Sequence, residues 1–379
     1  MKFRSCFILI VSLFMLQPSS VFAIIDAGAN NVQLRETCTV GGGALDNCFE
    51  NMASLVSWMT TVRAPAPSAA APLTVAMGVG SFGPLTLTCD AASGFTGHVT
   101  FSGVGRDKTE ITGVGTLVTF PLVVKNCNNL HFTNLRVNSP NYGYIEWKGG
   151  GSSIWENVDV VGHSRAWVEK ACGASRGKHY WFNSRIFSSW FGINQTYVAS
   201  CDESWFYGSE IVTNAYGPLI QAGSSGIVHV YGSNLRADDS IGNATASVIV
   251  AKASSGGVIH IHGTGIDAFG GAGQTVTVLQ ATSGGKIHAN SSAYNLSTGN
   301  GGTIVRVDDN GGTGTVLAPY LWETNAEAPF TDIAGVTFES EHGYDTAVVT
   351  NTSDGHPHMV IYDSTCASKW FDTAANACR

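Results

Sequence analysis

Asn129-Leu-His-Phe-Thr-Asn-Leu-Arg-Val137 is followed by Ser152-Ser-Ile-Trp-Glu-Asn-Val-Asp-Val160, Lys178-His-Tyr-Trp-Phe-Asn-Ser-Arg-Ile186 and Glu203-Ser-Trp-Phe-Tyr-Gly-Ser-Glu-Ile211. Each segment carries a turn residue three positions before its final apolar residue: Asn134, Asn157, Asn183 and Gly208. Further copies place Gly232, Gly263 and Asn290 ahead of Leu235, Ile266 and Ala293. The end-to-end steps are 23, 26, 25, 24, 31 and 27 residues. Asn and Gly tolerate the left-handed backbone, so the recurring position predicts a recurring sharp turn at the end of a strand. Self-similarity at this period signals a repeat architecture. The Leu-x-x-Leu-x-Leu pattern of leucine-rich repeats is absent, and a propeller blade needs a longer period.

A second short strand lies within each period. Tyr144 to Trp147, Trp167 to Lys170, Tyr197 to Ala199, Leu219 to Gln221, Val248 to Val250, Val276 to Leu279 and Ile304 to Val307 read this way. Two or more short strands per period, separated by Gly, Asn and Ser, predict an all-β solenoid: a right-handed parallel β-helix whose coils stack at ~4.8 Å. Alternation along a strand sends neighbours to opposite faces. Aligned on the turn residue, Phe132, Trp155, Trp181, Phe206, Val230 and Ile261 form an inward column, and His288 falls in the same column. His131, Ile154, Tyr180, Trp205, His229, His260 and Ile287 precede it. Thr133, Glu156, Phe182, Tyr207, Tyr231 and His262 follow it. Both flanking columns face outward.

The pattern resembles the pectin-lyase-like β-helix superfamily over roughly residues 72–316. Val99-Thr-Phe-Ser-Gly-Val-Gly-Arg-Asp-Lys-Thr-Glu-Ile111 is similar to an early coil of that group. The resemblance implies the fold, and a fold hosts many chemistries: lyases, hydrolases, epimerases and non-catalytic adhesins share this one. The motifs of its enzymes do not carry over. Asp238-Asp239 and Asp308-Asp309 occur without the other elements of a polygalacturonase site. Trp155-Glu156-Asn157 lacks the histidine of the pectate-lyase W-x-D-H strand, no R-x-P-x-x-R follows, and no D-P-H-D motif of mannuronan epimerases is present.

The 379 residues include 45 glycines, and only 13% are charged, while 44% are hydrophobic. Such a chain can bury a core, and disorder is excluded. The net charge of −8 lacks the basic surface that nucleic-acid binding requires. Residues 1–23 read as a signal peptide: Lys2 and Arg4 precede an apolar run from Phe7 to Leu16, too short to span a bilayer. Removing those two from the 20 basic residues leaves 18 against 28 acidic ones, a charge of −10. Eight cysteines then remain, an even number that predicts disulfides in an oxidising compartment. Spacing favours Cys38–Cys48 and Cys366–Cys378 and leaves the middle four open. The chain is therefore expected to be secreted (extracellular, periplasmic or at the cell surface) and to have no membrane span. Residues 24–71 read as an N-terminal cap and linker, with one helix over Asp46 to Val62. Residues 72–316 read as the β-helix, and 317–379 as a small disulfide-closed capping tail.

The outward aromatic columns give the leading functional expectation. Tyr180, Phe182, Trp205, Tyr207, His229, Tyr231, His260 and His262 predict a glycan-binding face, since flat rings stack on pyranose faces and their polar edges meet hydroxyls. His260 and His262 on one strand face, with His229 one coil below, also have the composition of a zinc site, but no carboxylate support is legible; no metal or cofactor is assigned. A column of alternating charge, Arg136, Asp159, Arg185, Glu210 and Asn234, reads as cross-strand ion pairs. Its functional alternative is a lyase or hydrolase site in which Arg185 lies between Asp159 and Glu210. Glu146 and Glu169, aligned on adjacent coils, would match the ~5–5.5 Å carboxyl spacing of a retaining glycosidase. Asp202 and Glu203 read as solvated turn residues. The expected function is a secreted β-helix that binds a glycan or polysaccharide on its aromatic face. The alternatives are a polysaccharide lyase or glycosidase and a non-catalytic structural or adhesive surface protein.

Overall fold

At each recurring turn the chain steps through a left-handed residue: Asn134, Asn157, Asn183, Gly208, Gly232 and Gly263 have φ between 46° and 56°. Each hands a strand of one sheet to a strand of the next, as from Leu130–Thr133 to Arg136–Asn138 and from Ser152–Glu156 to Asp159–Gly162. The computed structural model describes residues 25–323 except 41–42, 115–119, 141–142, 164, 172–175, 189–195, 215–216, 240–246, 291, 299–301, 309–312 and 318–320, together with four strands between 346 and 378. Within it the strands stack into three parallel sheets of 12, 9 and 10 strands, each strand paired with its counterpart one coil on. The chain is a parallel β-helix, as the repeat predicts. The expected signal peptide lies outside the described residues, as do the side chains of Cys366 and Cys378. No helix among the described residues is long and apolar enough to cross a membrane.

The turn chemistry satisfies buried backbone groups, which is obligatory where water is excluded. Asn157 Nδ2 donates to Asn134 Oδ1 at 2.6 Å. One residue later, Ser184, Ser209 and Ser233 accept at Oγ from the N–H groups of Val158, Ser184 and Ser209 at 3.1, 3.2 and 3.1 Å. At two of the points where the chain re-enters the first sheet, only glycine fits. A Cβ at Gly257 would lie 2.4 Å from the Ala222 carbonyl oxygen, and one at Gly285 would lie 2.3 Å from that of Ala253.

Register places like residues on like. Phe132 pairs with Trp155, Trp155 with Trp181, Trp181 with Phe206, and Phe206 with Val230. Phe101, Phe132, Trp155, Trp181 and Phe206 therefore form a continuous interior stack, with centroid spacings of 5.3, 4.2, 4.7 and 5.7 Å. Trp147, Trp167 and Tyr197 form a second stack on the opposing sheet, spaced 5.3 and 5.7 Å apart. The two meet edge to face, as in Trp155–Trp167 at 90° and Tyr197–Phe206 at 85°, the arrangement that ring quadrupoles favour. Beyond Phe206 the first column thins to Val230, Ile261 and Ala289, all buried.

One register expectation is reversed. His288 pairs with His260 and Ile287 with Ile259, so Ile287 is interior and His288 belongs to the outward column. Asn290 pairs with His262, one position before the Gly263 turn. Gly265 pairs with Ala293 at the same 28-residue offset, so the coil gains no residue. Asn290 is the last residue of the strand Lys286–Asn290 and not the turn residue, and alignment on it sets every side chain on the wrong face. At the N-terminus, the helix expected from Asp46 begins instead at Met52, capped by Asn51 Oδ1 accepting from the Ser54 N–H at 2.8 Å. Cys48 and Phe49 are held as a strand beside Asn31–Leu34, and Cys48 is bonded to Cys38, the expected pair. Trp58–Val62 continues the helix as a π-turn. Cys89 pairs with Cys127. Cys201 is also disulfide-bonded, to a cysteine whose side chain is not among those described.

The interior stack gives a direct test. Phe206→Ala should lower unfolding stability by about 3–5 kcal/mol. Phe182→Ala, at a position 36% exposed, should cost less than about 1 kcal/mol. Denaturant titration of the two variants measures the contrast.

Candidate functional site

The two outward columns form as predicted. Tyr180, Trp205, His229 and His260 stack in sequence at 4.7, 5.2 and 4.8 Å, with planes within 10°. Beside them Phe182, Tyr207, Tyr231 and His262 stack at 5.3, 5.4 and 5.2 Å, within 12°. His288 closes the first column edge-on at 4.8 Å from His260. All eight predicted face residues are thus brought together on one sheet.

Their orientation corrects the expected mode of use. The rings stack along the rod axis at the coil spacing, so their flat faces are occupied by the rings above and below. The surface receives ring edges: tyrosine hydroxyls, the Trp205 indole N–H and imidazole nitrogens. Pyranose rings cannot stack along this face, except where the columns end at Tyr180, above Ile154, and Phe182, above Glu156. What the face offers is a regular array of donors and acceptors over an apolar wall.

The same orientation decides the zinc option. Imidazole lone pairs lie in the ring plane, and His229 and His260 are parallel, 6° apart and 4.8 Å between centroids. Their lone pairs point along separate planes rather than to one ion at the ~2.0–2.1 Å that zinc needs. A carboxylate does support the cluster, contrary to expectation: Glu203 Oε1 lies 2.9 Å from His229 Nε2. Burial, then the neighbouring His288, His229 and His262, pushes His260 down to about 3. His262 is lowered by burial and by His229 and His288.

The carboxylates split apart. Glu146 pairs in register with Val168, while Glu169 pairs with Trp147, and the ladder shifts between Trp147 and Lys148. The two side chains therefore face opposite sides of the sheet, and the expected glycosidase pair does not form. Glu146 is held by Lys148 at 2.6 Å. The alternating-charge column is in register from Arg136 to Asn234. Asp159 contacts Arg106 at 3.1 Å and Arg136 at 3.6 Å, and Arg185 contacts Glu210 at 3.1 Å. These are part-exposed ion pairs, which contribute little individually. Away from the aromatic face, a depression of about 470 Å³ is lined by Arg236, Asp238, Phe269 and Thr298.

Glu169 points into the rod, where it meets two residues that the sequence reading did not place there. His179 and Asp202 are both buried, so Asp202 is not the solvated turn residue expected. His179 Nε2 lies 3.2 Å from Asp202 Oδ2, and Ser153 Oγ lies 2.8 Å from His179 Nδ1. The Ser–His–Asp composition matches a hydrolytic triad, but Ser153 and His179 are sealed from solvent. Ser153 Oγ also accepts from Trp155 Nε1 at 2.7 Å. No substrate can reach it. Burial raises the Glu169 carboxyl above its usual range; Asp202 adds to this, and His179 and backbone N–H groups oppose it.

No protein-family model and no curated protein matches the chain. Two solved structures align with it. A pectin methylesterase variant in complex with a hexasaccharide aligns at 14% identity over 63% of this chain and 79% of that chain, with a TM-score of 0.45. The A-module of an Azotobacter vinelandii mannuronan C-5 epimerase aligns at 15% identity over 63% and 92%, with a TM-score of 0.26. Neither alignment assigns a role to any residue here.

The histidine face predicts a pH dependence with a definite sign. The folded pKa of His260 lies below the unfolded value of 6.5, so the unfolded chain takes up the proton first as pH falls. Stability is full above pH 6.5 and declines toward pH 3. The melting temperature should fall between pH 7.5 and 4.5, and His260→Gln should reduce that fall. An unchanged pH slope in the variant would show that His260 titrates alike in both states.

Proposed function

We propose that this chain is a secreted β-helix protein that binds an extended, neutral glycan along its double aromatic column. The observation that carries the reading is the pair of adjacent outward stacks whose polar edges recur once per coil. A coil rise of ~4.8 Å is comparable with the length of one sugar unit in an extended chain. Successive hydroxyl groups can then meet successive Tyr207, Tyr231, Trp205 and His262 edges in register. The apolar ring bodies exclude water from those hydrogen bonds, the usual division of labour at sugar-binding surfaces. The acidic balance of the chain, −8 overall, disfavours a polyanionic glycan. Disulfides at Cys38–Cys48 and Cys89–Cys127 support an oxidising, extracytoplasmic location.

Edge recognition and face stacking predict different variant behaviour. Tyr207→Phe combined with Tyr231→Phe keeps both rings and removes two hydroxyls. At about 0.5–1.5 kcal/mol per hydrogen bond, affinity for a glycan found on an array of neutral polysaccharides should fall roughly tenfold. Unchanged affinity would refute edge recognition, and an array with no bound glycan would refute the reading itself. Release of new reducing or unsaturated ends would instead identify a glycosidase or lyase.

A further inference from the structure

Three coils meet at the centre of the rod, where Glu169, His179 and Asp202 converge. The donor atoms they offer lie within 4.8 Å of one another. Each residue is fixed through one polar atom and has another to give. His179 is held at Nδ1 by Ser153, leaving Nε2. Asp202 Oδ1 accepts from the Gly177 N–H at 2.7 Å, leaving Oδ2. Glu169 Oε2 accepts from the N–H groups of Ser200, Cys201 and Asp202 at 2.7, 3.1 and 3.1 Å. Its Oε1 is buried and has no hydrogen-bond partner. This is the pattern of metal ligands, whose second polar atoms are fixed by an outer shell of donors and acceptors.

The spacing agrees. A charge-assisted N–H···O bond closes to about 2.7–2.9 Å, but His179 Nε2 and Asp202 Oδ2 stand 3.2 Å apart. That separation is close to the edge of a tetrahedron with bonds of about 2.0–2.1 Å, about 3.3–3.4 Å. The charges agree as well. Two carboxylates are enclosed among indole rings, with Trp147 and Trp167 edge-on to His179 at 4.7 and 5.0 Å. Buried charges persist when paired or bound to a metal, and a dication with a neutral imidazole balances both.

We infer that Glu169, His179 and Asp202 form an interior site for one divalent transition-metal ion of the zinc type, taken up as the coils close and retained as a structural pin. The site is separate from the aromatic face, and the inference does not depend on glycan binding.

The test uses the full secreted chain, produced in zinc-supplemented medium and then dialysed against a chelator while folded. Elemental analysis should find about one ion per chain resisting the chelator. His260→Gln/His262→Gln should retain it, and Asp202→Asn should lack it. The protein unfolded in chelator with its disulfides intact and refolded with Co²⁺ should develop the visible absorption of a tetrahedral site. This decides the question even if Asp202→Asn fails to fold. A folded wild-type chain free of metal after both routes would overturn the proposal and leave a shared proton among the three groups. Loss of the ion in the His260/His262 variant would place it on the surface and overturn the proposal equally.

Discussion

Parallel, in-register hydrogen bonding between coils constrains everything else in this molecule. It sets each residue directly over its counterpart at the strand spacing, so the side chains of the rod form columns, and each column must be compatible with itself. Aromatic columns satisfy this by stacking, inside as Phe132, Trp155 and Trp181 and outside as Tyr180, Trp205 and His229. Amides satisfy it by bonding to one another, as Asn157 does to Asn134. Like charges directly opposite repel; Lys125 does stand against Lys148, but Arg136, Asp159, Arg185 and Glu210 alternate in sign.

The strand Lys178–Phe182 shows how closely the inner and outer sites are tied. Tyr180 and Phe182 join the two surface stacks, while His179 and Trp181 enter the buried polar cluster and the interior aromatic stack. The surface array and the central charged cluster are opposite faces of the same strand. A rigid interior therefore aligns the surface edges, as the proposed binding of a repeating glycan requires.

The fold was legible because one marker, an Asn or Gly in the left-handed conformation, recurs where strands end. Columns counted from that marker are correct from Phe132 to Ile261. They fail at His288, because Asn290 ends its strand and is not the turn residue. The second-strand columns carry no such marker, and the register sets Glu146 against Val168 and Glu169 against Trp147, on opposite faces. The central cluster could have been found by parity. His179 stands two before Trp181, Ser153 two before Trp155 and Ser204 two before Phe206, so all three point inward. The signal was a polar residue in an apolar phase. The stacking direction of the surface rings was not legible, because alternation gives the side a residue faces but not the tilt of its ring.

The left-handed turn residue has a further consequence, best put as a reading frame. A residue gained within a strand inverts the inside and outside of every position up to the next turn, and the turn then restores the phase. The connections absorb changes of length outside the strands: the step is 24 residues from Phe206 to Val230 and 31 from Val230 to Ile261, and both pairs are in register. Coil length can drift, and whole coils can be duplicated or lost, while the columns above and below remain in phase.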